Sequence, residues 1–181
     1  MASKARKPKA ARVALTGTPG VGKTTLAAVA AADGWTVVDV KAWASAEGCV
    51  VGFDEEDQAA VIDVERLSRR MPEGDRLLFE GHLSHLLPVD LAWVVRCDPD
   101  ALRPRLEARG YGPAKVRENL EAEALDLILQ EAIDAVPRVV QRDGTRRSPQ
   151  ALYKAFADAG LGAAKAGDLE PVDWSERLPI A

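Results

Sequence analysis

Residues 17–25 read Gly17-Thr18-Pro19-Gly20-Val21-Gly22-Lys23-Thr24-Thr25, and they fit the phosphate-cradling pattern GxxxxGK[ST]. The apolar run Val13 to Leu15 before them reads as a short strand, and Thr25 to Ala32 after them as a helix. Strand, glycine loop and helix in that order are the context the pattern requires. In it, backbone N–H groups point inward and the helix presents its positive end. Gly20 and Gly22 let main chain approach a phosphate with no Cβ in the way. Lys23 is placed to reach β- and γ-phosphates, and the Thr24 hydroxyl to ligate Mg²⁺. A dinucleotide-binding loop fits worse, because GxGxxG would need glycine where Pro19 stands.

The chain has 181 residues, 47% of them hydrophobic, which is one domain's worth and enough for a real core. No apolar run approaches the roughly eighteen residues that span a bilayer, and no apolar signal core opens the chain. A soluble, cytoplasmic protein with no membrane partner is expected. Cys49 and Cys97 are too few for a disulfide framework, so a reducing compartment is the plain reading. With no CxxC spacing, structural zinc is not expected. Net charge is −4, unevenly spread: five of the 24 basic residues lie in 1–12 with no acid, leaving 19 against 28 acidic, or −9. An acidic body is a poor match to a nucleic-acid duplex. The arm 1–11 reads as a disordered, solubilising tail, with weak contact to RNA phosphates as the other reading.

Downstream, the turn signal Asp33-Gly34 leads into a buried strand from Trp35 to Val40. Residues 41–60 have broken periodicity and an acid cluster at Asp54, Glu55, Glu56 and Asp57. They read as a solvated loop or as an insert over a substrate pocket. A helix is expected from Val61 to Met71, with Val61, Val64, Leu67 and Met71 in the core. The strand Leu77-Leu78-Phe79 then ends in Glu80, the position from which a phosphate-loop enzyme holds the Mg²⁺ hydration shell. His82 and His85 have i,i+3 spacing but no third ligand, which favours structural roles; His82, two residues past the strand, is able to face the phosphates.

Leu91 to Arg96 reads as a central parallel strand, followed by an Asp98-capped helix with Leu102 and Leu106 inward. Past the break at Gly110 to Pro113, a long helix is expected to carry Leu120, Ala124, Leu127, Ile128 and Ala132 as its core stripe. Val139-Val140 suggest a fifth strand, Pro149 to Ala159 a last helix, and 161–181 an irregular tail. Alternation of strands and helices gives an α/β, three-layer P-loop NTPase: a parallel sheet of about five strands flanked by helices. Ligands then sit at the carboxyl ends of the strands, where the loop, Glu80 and His82 fall.

GTPGVGKTTL, GFDEED, EGHLSHLLP, VVRCDPDALRPRLEARGY and VRENLEAEALDLILQEA, in this order, resemble the adenylate kinase isoenzyme-six family. HLSHLL and the terminal PVDWSERL resemble its archaeal form. The resemblance runs from about Arg12 to Phe156, with Asp173-Trp174 beyond. It implies an adenylate-kinase-like domain over 12–160, a monophosphate-binding insert near 39–62 and a lid near 108–118. It also implies ATP and Mg²⁺, transfer to AMP or another monophosphate, and ATPase activity. A further implied role is late maturation of the small ribosomal subunit, through transient binding of a platform protein of the universal S-eleven class. Carried over, Gly20, Gly22, Lys23, Thr24 and Thr25 bind ATP, Arg109 contacts its phosphates, Glu80 is the acidic residue near the metal, and His82 stands beside it. One departure is clear: an arginine that grips the acceptor phosphate is expected near Ser45. Lys41 is nearby, but it is a point charge without the bidentate fork.

Overall fold

A computed structural model describes residues 11–54, 59–160 and 168–178. The arm 1–10, the acids Glu55, Glu56 and Asp57, and the segment 161–167 lie outside the described residues. Fifteen regular elements are labelled below. In chain order they are β1 (Ala11–Thr16), α1 (Lys23–Ala32), β2 (Thr36–Asp39), α2 (Val40–Ala46), β3 (Val50–Asp54), β4 (Ala59–Ile62), α3 (Val64–Ser68), β5 (Arg76–Glu80), β6 (Leu91–Arg96), α4 (Pro99–Glu107), α5 (Pro113–Ala124), α6 (Leu127–Ala135), β7 (Val139–Asp143), α7 (Pro149–Gly160) and β8 (Asp168–Leu169).

Six strands form one parallel sheet in the order β2-β5-β1-β6-β7-β8. Side chains alternate across it, and because both faces are covered the central strands read as near-continuous apolar runs. Val13, Leu15, Leu78, Trp93 and Val95 face one core with Leu26, Leu102 and Phe156. Ala14, Leu77, Phe79, Ala92 and Val94 face the other with Leu67, Leu129 and Ala132. Both faces of the sheet are therefore covered, which makes three layers. Trp93 centres the first core, stacked on Phe156 at 5.2 Å and edge-on to Trp35 at 5.6 Å.

Several expectations are corrected. β2 is an edge strand, with Val37 and Val38 only partly buried, and Val40 already belongs to α2. Asp39 starts that helix by accepting the Ala42 N–H at 2.9 Å, so 41–60 is no plain loop. It holds α2 and the antiparallel pair β3–β4, which is separate from the main sheet. The helix expected over 61–71 is only α3, because Val61 is drawn into β4, where it is exposed; Leu67 alone of the four is fully buried. The long helix past Pro113 breaks into α5 and α6 at Asp126, whose φ of 59° is left-handed, and Leu127 turns outward. The tail contributes β8, a sixth strand, where none was expected. Ala11, counted with the arm in the sequence, belongs to β1.

The candidate phosphate-binding and phosphoryl-transfer site

Parallel pairing brings the carboxyl ends of β2, β5 and β1 into one row, with Leu15 beside Glu80 and Glu80 beside Asp39. The loop from Gly17 to Gly22 leaves β1 at that edge and enters α1. Gly20 has φ 89°, and a Cβ on it would stand 2.9 Å from Leu102 Cδ1 on α4, so glycine is needed for backbone and packing alike. Gly22, the N-cap of α1, has φ 106° but open space around it, so only its backbone conformation demands glycine.

Lys23 is 8% exposed, and its ammonium donates to the Gly17 carbonyl at 2.7 Å and the Thr18 carbonyl at 3.0 Å. Its pKa is lowered to about 8, chiefly by burial; the charge of Glu80 opposes that shift, Arg109 adds to it and Glu123 opposes it. Burial also raises the Glu80 carboxyl above its usual range. Asp39 adds to that rise, while Lys23, the Thr24 hydroxyl and Arg109 oppose it. The Thr24 hydroxyl approaches Glu80 Oε1 at 3.4 Å, a long contact. His82 is reachable by solvent but recessed. Desolvation there, followed by the nearby charge of Lys23, holds its pKa down to about 4, so its ring is neutral near pH 7.

Lys23, Glu80, His82 and Arg109 line a single cavity of about 430 Å³. Thr18, Asp39, Lys41, Tyr111, Lys115 and Asn119 share its wall, and Ala59, Ala60 and Ile62 of β4 close one side. Gly20, Gly22, Thr24 and Thr25 stand outside that wall, on the loop and the first turn of α1; Thr24 joins the group only through Glu80. His82 and His85 do not converge. His85 is fully buried, with Nδ1 2.9 Å from Thr16 Oγ1 and Nε2 3.1 Å from Glu131, as a structural histidine should be. Ser45 is exposed on α2 and absent from the wall.

Sequence reading missed Asp39, Lys115, Asn119 and Glu123. Asp39 looked like the interior of a strand, and the other three lie in a helix whose inward face was judged from apolar spacing alone. The carboxylate of Glu123 is 3% exposed, a burial that only the fold reveals.

A glycine loop closing on a buried lysine, at the carboxyl edge of a parallel sheet covered on both faces, defines a P-loop NTPase of the three-layer α/β class. Comparison with known proteins narrows the class. The model of the family described as "AAA domain" matches residues 13–126. An Archaeoglobus fulgidus protein named "Putative adenylate kinase" is 46% identical over 170 residues, spanning 92% of this chain and 93% of its own length. A Pyrococcus abyssi protein of the same name is 38% identical over 168 residues, spanning 91% of each. The chain belongs to this family of archaeal adenylate kinase relatives. The solved structure of TT1252 from Thermus thermophilus shares the fold at a TM-score of 0.53 and 18% identity, covering 85% of this chain and 100% of that one. Among the described residues, no helix is long and apolar enough to cross a membrane.

Proposed function

We propose that the chain is a nucleoside monophosphate kinase that moves the γ-phosphoryl group of Mg-ATP to AMP or a related monophosphate. One observation carries the reading: Lys23, Glu80 and Arg109 meet in a cavity that continues past the phosphate loop toward β4, leaving a second flank for an acceptor. The names of the archaeal relatives support adenylate as that acceptor. The segment 39–62 then acts as the acceptor insert and 108–118 as the lid.

The chain's own groups do four things. Lys23 exchanges its two carbonyl partners for β- and γ-phosphate oxygens, while loop amides from Gly20 to Thr25 hold the rest of the tail. Thr24 and Glu80 suit magnesium: both offer hard oxygen donors, and Glu80 has a second carboxylate, Asp39, beside it. Thr24 and Glu80 would hold the ion, which when bound would supply positive charge against the polyphosphate. His82, neutral near pH 7, offers a hydrogen bond instead of a charge at the edge of Glu80. Arg109 adds charge from the segment that closes, with Gly110 at φ 79° next to it as the turning point. Closure excludes water and favours a nucleotide acceptor over hydrolysis. ADP forms on both sides: the bond from γ-phosphorus to the ATP β-phosphate oxygen breaks as one to the monophosphate oxygen forms. The test is ADP output from ATP and Mg²⁺ with and without AMP; no increase on adding AMP sinks the reading.

A second reading follows from Ser45. Where an arginine gripping the acceptor is expected, α2 offers the cavity only Lys41 as a cation. A weakly held acceptor would leave ATP hydrolysis as the main activity. ATP would then act as a switch on a small-subunit ribosomal protein of the S-eleven class during late subunit maturation. Capture of that protein that is equal in ATP and in ADP would count against this reading.

A further inference from the structure

Glu123 lies near the end of α5, 3% exposed, and the chemistry above leaves it without a task. Its Oε2 accepts from the Thr18 hydroxyl at 2.5 Å. Its Oε1 accepts from Arg96 Nε at 2.8 Å and from the Cys97 N–H at 3.0 Å. Thr18 belongs to the phosphate loop, and its carbonyl is one of the two oxygens that hold the Lys23 ammonium. Two hydrogen bonds, one from the hydroxyl and one to the carbonyl of Thr18, therefore meet at a single loop residue between α5 and Lys23. Arg96, 2% exposed, anchors the far end by donating to Gln141 Oε1 at 2.8 Å and to the Glu123 carbonyl at 2.7 Å, and by pairing with Asp126.

Burying such an ion pair is costly. Well-packed apolar residues often do as well or better for stability, so stability alone does not account for it. Its geometry supplies another reason. A loop built from glycines has little stiffness of its own, and phosphate binding requires its amides to be held in place before the ligand arrives. We propose that Glu123 is a positioning residue: it sets the phosphate loop through the Thr18 hydroxyl and ties that loop to α5. The proposal rests on the P-loop kinase reading above. Glu123 touches no substrate in it and acts only through Thr18.

The test is the affinity of a fluorescent, non-hydrolysable ATP analogue with Mg²⁺, read beside a thermal melt for every variant. Thr18→Val keeps shape but loses the donor, and binding should weaken about tenfold, the worth of a hydrogen bond to a charged group. Thr18→Ser restores the hydroxyl and most of the affinity. Glu123→Gln keeps one acceptor oxygen for Arg96 and turns the other position into an NH₂ from which the Thr18 hydroxyl can only accept, so the anchor loses its charge and binding should weaken, though less than in Thr18→Val. The double variant Thr18→Val/Glu123→Gln should be no weaker than its weaker parent, since both remove one link. Additive losses, or Thr18→Val binding as tightly as the parent chain, would overturn the proposal. If Glu123→Gln does not fold, the Val and Ser pair at position 18 still decides. No binding by the parent chain would instead overturn the phosphate-site reading and this proposal with it.

Discussion

The two flanks of the cavity are made in opposite ways. On the phosphate-loop flank, every anchor comes from the main sheet or is locked to it: β1 and β6 are buried along most of their lengths, and Lys23 is held by two loop carbonyls. On the flank assigned to the acceptor, β3 and β4 form a two-stranded sheet of their own among the described residues, and Val51 and Phe53 are 60% and 59% exposed. A site for charge that must be preorganised is built into the core. The β3–β4 hairpin, which the kinase proposal gives to an exchangeable acceptor, is joined to it through α2 and α3, where local opening is cheaper.

The largest expected contrast is in stability. Phe79→Ala, at a fully buried position of β5, should cost about 3–5 kcal/mol, whereas Phe53→Ser on the hairpin should stay within about 0.5 kcal/mol. Chemical denaturation of both measures the difference; equal losses would make the hairpin part of the core. Lys23→Ala should lower ADP formation about a hundredfold to a thousandfold without lowering the melting temperature, because it removes a buried ammonium. Glu80→Gln should cost about tenfold to a hundredfold, partly recovered at high Mg²⁺. Ser45→Arg should sharpen the weaker flank, raising kcat/KM for AMP up to about tenfold while leaving KM for ATP unchanged. If it changes neither, position 45 does not face the acceptor phosphate.

Near neutrality, pH should matter least. Lys23, held at about 8, is charged below that value and loses its charge above it. Nucleotide affinity should be full well below pH 8 and decline as pH rises through it. His82, held down to about 4, is neutral throughout the range above about pH 5, so it should add no acid limb to the rate there. A rate step near pH 6.5 that vanishes in His82→Gln would contradict that placement.

Sequence reading did well where burial and periodicity agree. β1, β5, β6, α4 and α7 carry apolar residues where their burial demands them, the loop carries the GxxxxGK[ST] pattern, and Asp98 caps α4 through the Asp100 N–H at 2.9 Å as its position suggests. Lys23, Glu80 and His82 stand at loop or strand ends that the motif marks, and Arg109 was named from the family resemblance; the structure brings the four to one cavity. The hairpin was not legible, since β3 is exposed at all five residues and so leaves no alternating signal. Nor was the break at Asp126, where neither glycine nor proline marks the turn and the Arg96 pairing that accompanies it comes from a distant strand. β8 is two residues long and joins β7 partly through Arg142, which binds Asp168, a contact between segments far apart in sequence.

Calorimetry with Mg²⁺ and a non-hydrolysable ATP analogue, on the parent chain and on Lys23→Ala, tests the phosphate loop most directly. The account predicts saturable one-to-one binding at pH 7 that weakens at pH 9.5 and is lost in the variant. Equal binding by both chains, or no heat from either, would contradict it.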